Sequence, residues 1–144
     1  MTHKTSIRVI YGDTDTMGYA YHANYLRWFE IGRTELFRAH GLPYKTIEEK
    51  GIFLPVAEVY CKFLAPVRYD DVLIVETAID DSIKGGMKFD YRLRVEGSGV
   101  VSATGYTRHA CVDGGGRVVR PPKFLQAVSA RVIENSGLGI SISQ

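Results

Sequence analysis

Tyr11-Gly12-Asp13-Thr14-Asp15-Thr16-Met17-Gly18-Tyr19-Ala20-Tyr21-His22-Ala23-Asn24-Tyr25 is the stretch on which the fold turns. Upstream of it, residues 5–11 alternate around Ile7 and Val9 with the two-residue period of a strand. Within it, glycine and short polar residues break any regular period. From Asn24 the pattern becomes helical. Tyr25, Trp28, Phe29, Gly32, Leu36 and Ala39 fall on one face, and Arg27, Glu30, Thr34 and Arg38 fall opposite. The spacing predicts a helix over 24–40, ended by Gly41 with Pro43 just beyond. Gly32 in its middle costs about 1 kcal/mol relative to Ala, which predicts a close approach of this helix to another backbone.

Downstream, a short helical stretch over 43–50 gives way to strands. Residues 55–64, 72–83, 87–96 and 100–112 read as extended runs. Between them lie turn residues at 66–71, at Lys84-Gly85-Gly86, at Gly97-Ser98-Gly99 and at 113–116. Val118 and Val119 continue the extended pattern, and Pro121-Pro122 opens a last helix over about 123–134. The tail from 137 is expected to fray. A strand, a long apolar helix and then hairpin-linked strands predict an α+β fold, with an antiparallel sheet curled around one buried helix. Neither a repeat nor a linker divides the chain, so 1–144 reads as one domain, with the last helix and tail from about 121.

The composition narrows the function classes. Lys and Arg number 18 against 16 Asp and Glu, and a net charge of +2 is too weak to argue for nucleic acid. Residues 1–8 lack the apolar core of a signal peptide, and no window is apolar for long enough to span a bilayer. Cys61 and Cys111 sit in strand-like runs without ligand spacing and read as small buried residues, in keeping with a cytoplasmic protein. His3, His22, His40 and His109 are scattered, so no metal is expected. The absence of Gly-x-Ser-x-Gly argues against a serine-hydrolase elbow. Gly114-Gly115-Gly116 lacks the following Lys-Ser/Thr of a phosphate loop and reads as a hairpin turn.

Chemistry concentrates in the opening stretch. Taken singly, Asp13 and Asp15 suit turn formation, and His22 and Asn24 suit helix capping. Together, an acid-rich loop and a His just before a helix start favour a site. The free N–H groups and dipole of a helix N-terminus stabilise developing negative charge, so a carbonyl whose oxygen becomes an oxyanion would belong there.

The segment resembles the motif of the 4-hydroxybenzoyl-CoA thioesterase family of hotdog proteins, and is most similar to the short-chain acyl-CoA thioesterase branch associated with the Tol–Pal system. The resemblance rests on Tyr11, Thr14-Asp15, Gly18, Tyr21-His22 and Asn24-Tyr25. It continues through Phe29-Glu30, Arg33-Thr34-Glu35, Ala65-Pro66 and Tyr69-Asp70-Asp71. It covers the chain from Arg8 to about Val119. It implies a hotdog fold that assembles as a homodimer or homotetramer, with the site between subunits. It also implies Asp15 as the catalytic carboxylate, acting as nucleophile on the thioester or as general base for water. The backbone N–H near His22 would polarise the carbonyl, with Tyr11 and His22 assisting, while Asp13 reads as structural. Gly12 departs from the glutamate usual in the Tol–Pal branch and agrees with the hydroxybenzoyl branch, so the acyl group stays open between short-chain and aromatic.

The implied substrate is an acyl-CoA, with coenzyme A as part of the substrate and no other cofactor. Gly18, Tyr19, Tyr21, Asn24 and Phe53 stand as candidates to line the acyl site. Lys62, Arg68 and Lys88, with Lys84 and Arg120, stand as candidates for the coenzyme A phosphates. Two other readings remain: a module that binds an acyl thioester without hydrolysing it, and a thioesterase acting on acyl carrier protein. A dehydratase fits less well, because hotdog dehydratases use a different His-led motif.

Overall fold

Alternation of side chains builds the sheet in the computed structural model, which describes residues 2–136. Five antiparallel strands are β1 (His3–Arg8), β3 (Val56–Phe63), β4 (Val72–Asp80), β5 (Met87–Val95) and β6 (Val101–His109), in spatial order β1-β4-β5-β6-β3. On β5, Phe89, Tyr91 and Leu93 are fully buried on one face. On the other face, Lys88 pairs with Asp80 at 2.9 Å and Arg92 with Glu76 at 2.7 Å. The alternation is that of a strand with one apolar and one charged surface.

The apolar face receives α1 (Asn24–Ala39). Its buried residues are Tyr25, Trp28, Phe29, Gly32, Arg33, Leu36 and Phe37. Phe29 stacks on Tyr91 with ring centroids 4.3 Å apart, and Phe37 meets Phe89 edge-on at 5.6 Å. At Gly32 the helix comes so close to β4 that a Cβ would stand 2.6 Å from Thr77 Oγ1 and 2.8 Å from Val75 Cγ1. The mid-helix glycine thus marks a close approach, but to the side chains of Thr77 and Val75 rather than to another backbone. The helix ends on Gly41 at φ +78°. The Leu42 N–H donates to Phe37 O and the Gly41 N–H to Arg38 O, the paired bonds of a Schellman cap.

A short α2 (Tyr44–Glu49) leads into β2 (Ile52–Phe53), which pairs with β7 (Val112–Asp113), and α3 (Lys123–Ser136) packs on β4. Several expectations are corrected. The first strand stops at Arg8, and Tyr11–Asp13 forms a 3-10 turn, because Asp13 accepts the Ile10 N–H and bends the chain. Ala39 is exposed, whereas Arg33 and Phe37 are buried, so the apolar stripe is wider than one face. Residues 118–119 make only a single bridge, Val112 to Val118. The β2–β7 pair escaped the pattern because two residues carry no period. Cys111 is buried, but Cys61 is only half-buried. The tail expected to fray lies outside the described residues.

Candidate active site

The loop between β1 and α1 is a small hairpin closed on itself. Thr14 bridges Ala20, and the Asp15 N–H donates to Tyr19 O at 2.8 Å. Gly18, at φ +81°, lets its N–H return to Asp15 O at 3.0 Å. The Asp15 side chain completes the turn, with Oδ1 accepting from the N–H of Met17 at 2.9 Å and of Tyr19 at 3.2 Å. Asp15 is exposed, and among the described residues nothing bonds Oδ2. One oxygen thus fixes the carboxylate while the other stays available.

The loop is docked by residues 67–69. The Ala20 N–H donates to Val67 O at 2.7 Å, and the Arg68 guanidinium lies 4.6 Å from the Tyr19 ring centre. Tyr11 is exposed and meets Tyr69 edge-on at 5.5 Å. Tyr11, Asp15, Gly18, Tyr19 and Arg68 are therefore gathered on one loop surface.

The start of α1 lacks a side-chain cap. Ala23 occupies the cap position, and Asn24 turns back so that its Nδ2 donates to Asp13 O at 2.8 Å. The capping role that Asn24 and His22 could have filled is thus left open. Among the described residues the N–H groups of His22 and Ala23 have no acceptor. They are the unspent donors of a helix start. The His22 ring is exposed, lies 4.3 Å from that of Tyr21, and meets Phe63 at 6.5 Å. Phe63, at the end of β3, also packs edge-on to Tyr25 at 4.8 Å.

Two other groups beside the helix start could in principle react. Burial pushes the Tyr25 hydroxyl up to about 12 and the Cys61 thiol up to about 11. Both stay protonated near neutral pH.

The remaining candidates lie elsewhere in the chain. Lys62 is exposed on β3, opposite Thr104. Phe53, on β2, pairs with Val112. Lys88 is held by Asp80 at 2.9 Å and Asp90 at 3.4 Å, and pairs with Arg108 on β6. Phe63, by contrast, lies opposite Ala103, so Lys88 sits at the far end of the sheet from the Asp15 loop. At that far end a cavity of about 720 Å³ opens between the β4–β5 turn and α3, with Lys84 and Arg120 in its wall. A second, of about 500 Å³, shares those two cations and adds Arg108 and Glu58. Sequence reasoning ranked neither of those cations, and it passed over Arg27, whose Nη2 pairs with Asp13 Oδ1 at 2.6 Å. Arg27 carried a signal: a cation in the opening turns of a helix opposes the dipole and wants an acid. Among the described residues, no three metal-ligating side chains come together.

The chain is similar to known proteins in sequence and in fold. A thioesterase-like superfamily model matches residues 9–132. The Bacillus subtilis protein YneP is 38% identical over 111 residues, 76% of this chain and 79% of the relative. The Haemophilus influenzae acyl-CoA thioesterase YbgC is 34% identical over 125 residues, covering 86% of this chain and 89% of that one. The crystal structure of the Thermus thermophilus protein TT1821 superposes with a TM-score of 0.83 at 35% identity, over 90% of this chain and 98% of its own. With a matching family model over most of its length, a five-stranded antiparallel sheet and relatives of this similarity, the chain belongs to the thioesterase-like superfamily of hotdog proteins.

Proposed function

We propose that this chain hydrolyses an acyl-CoA thioester to a free acid and coenzyme A. It does so as one domain over 1–144 whose sheet wraps α1, in the cytoplasm and without a metal or added cofactor. The observation that carries the reading is Asp15, whose Oδ1 is fixed by two backbone N–H donors while Oδ2 stays available. Its loop runs directly into the unspent N–H groups of His22 and Ala23.

With the thioester oxygen at those N–H groups, charge that develops on it meets fixed donors and the positive end of a 16-residue helix. Asp15 then has two routes. Its Oδ2 adds to the carbonyl carbon, the C–S bond breaks, and coenzyme A leaves as thiolate; water opens the resulting acyl anhydride, and the released proton neutralises the thiolate. Alternatively, Asp15 takes a proton from water, the hydroxide adds to the same carbon, and the proton passes to the departing thiolate. Both routes return Asp15 to its carboxylate. Tyr11 and the His22 imidazole assist from the loop surface.

A second copy of the chain completes the site. The β3 edge exposes Val56, Val59, Tyr60 and Phe63, whereas the opposite edge, β1, carries Lys4, Ser6 and Arg8. Beside Glu58 and Lys62 the exposed residues of that edge are apolar, and such an edge is a template for another strand. Antiparallel pairing of β3 with its copy brings the Phe63 end of one protomer to the Val56 end of the other. The Asp15 loop then faces the copy's Phe53 and its cavity with Lys84, Arg108 and Arg120. The acyl group lies at the first and the coenzyme A phosphates at the second.

The test is a panel of short-chain, long-chain and aromatic acyl-CoAs, with an acylated carrier protein beside them, scored by thiol release. Turnover of at least one acyl-CoA is expected. Binding without thiol release would make the chain a carrier, and release from the carrier protein alone would move the substrate class.

A further inference from the structure

Asp13 is where the loop bearing Asp15 and the helix bearing the unspent N–H groups are tied together. Its side chain is 6% exposed, which a carboxylate tolerates when it is paired and hydrogen-bonded. Oδ2 accepts the Ile10 N–H at 3.0 Å, and Oδ1 takes Arg27 Nη2 at 2.6 Å. Its backbone carbonyl accepts the Tyr21 N–H at 2.8 Å and Asn24 Nδ2 at 2.8 Å. Two of these four ties, Arg27 and Asn24, come from the opening turns of α1.

Arg27 is poorly placed for helix stability. It sits one turn into α1, where a cation opposes the dipole, and Glu30, three residues on, faces Arg33 instead at 3.8 Å. Its recorded ion pair is with Asp13. A cation held there against the dipole is explained by the buried acid it reaches.

We infer that Arg27 is a positioning residue for catalysis: by gripping Asp13 from the helix, it keeps the Asp15 turn in register with the His22 N–H. The inference rests on the thioesterase reading of the same site. An ion pair between exposed groups would contribute little. Here one partner is buried, and removing the other strands a carboxylate in the interior. Asp13 then moves toward water, carrying with it the loop that begins at Thr14. A displacement of about 1 Å between attacking group and oxyanion donors can cost on the order of 10²-fold in rate.

The experiment compares wild type, Arg27→Ala and Arg27→Lys on one acyl-CoA from the panel, recording kcat, KM and melting temperature. Arg27→Ala is expected to lower kcat on the order of 10²-fold, with KM near the wild-type value. Arg27→Lys, which keeps the charge, should recover part of that loss. Guanidinium chloride at non-denaturing concentration should raise kcat of Arg27→Ala, while equal sodium chloride should not. Wild-type kcat in Arg27→Ala would overturn the inference. So would a loss that neither lysine nor guanidinium recovers, because that is the mark of general damage to the fold. If wild type itself releases no thiol from any acyl-CoA, the thioesterase reading fails, and the positioning role fails with it.

Discussion

His109 shows how a buried side chain can be fixed in one protonation state by its neighbours. The carbonyl of Leu54, 2.9 Å from Nδ1, can only accept, so Nδ1 carries the proton and Nε2 takes the Thr107 hydroxyl at 2.8 Å. Thr107 Oγ1 in turn accepts from the Tyr91 hydroxyl at 2.6 Å, and Arg33 Nη1 reaches Tyr91 at 3.4 Å. Read in that direction, the chain is satisfied by a neutral imidazole that accepts at Nε2. Burial, with the Arg33 charge adding to it, lowers His109 to about 4, against the Leu54 bond that favours the proton. The unfolded chain therefore binds a proton that the folded chain refuses as pH falls from about 6.5 to about 4. Stability should fall across that window, by up to about 3 kcal/mol from this group, and stay level for it above. Urea midpoints measured from pH 7 to 4 check this, and His109→Gln should flatten the slope. The residue scale was the least legible in the sequence. Asp15 and His22 stood out by their place before a helix, but the partner of Arg27 and the chain through His109 join positions far apart in sequence, and periodicity carries no such information.

At the scale of elements, Gly32 ties α1 to the sheet. Replacing it with Ala gains about 1 kcal/mol of helix propensity. The added methyl, however, would meet Thr77 Oγ1 at 2.6 Å and Val75 Cγ1 at 2.8 Å. Overpacking a closed core costs about 1–3 kcal/mol, and both contacts come from a central strand with little room to yield. Gly32→Ala should therefore lower the melting temperature, opposite to the sign expected of an exposed helical glycine. A higher melting temperature would show that α1 stands farther from β4. The elements themselves were legible where period and punctuation agreed. β5 alternates cleanly, and α1 is bounded by the loop and by Gly41. Legibility failed at β1, where Ile10 and Tyr11 continue the apolar pattern but the Asp13 carboxylate captures the Ile10 N–H and turns the chain. It failed again on α1, where Arg33 reads as a surface cation yet is buried beside Tyr91.

For the whole molecule, the two edges of the sheet are unlike. β1 ends in charge, with Arg8 paired to Asp70 at 3.0 Å. β3 leaves Val56 at 50% and Phe63 at 52% exposure, beside a loop where Tyr11 is at 78% and Met17 at 72%. An apolar surface of this kind on one edge and one loop is what an interface leaves when a single copy is viewed. Sedimentation should give a mass at least twice the 16.1 kDa of one chain, and Phe63→Lys should shift it toward one copy. A 16.1 kDa species at working concentration would remove the shared site. The sequence carried little of this, because an edge is defined by what a strand fails to pair with.

The central claim is that Asp15 performs chemistry and is more than a turn former. Asn at this position keeps the shape and can still accept from the N–H groups of Met17 and Tyr19 through its amide oxygen. It can neither add to a thioester as a carboxylate nor take a proton from water. The measurement is kcat of Asp15→Asn on the best acyl-CoA of the panel, beside the affinity for a non-hydrolysable analogue. The account predicts a fall in kcat of about 10²–10⁴ or more with analogue binding largely retained. Turnover like that of the wild type would contradict it.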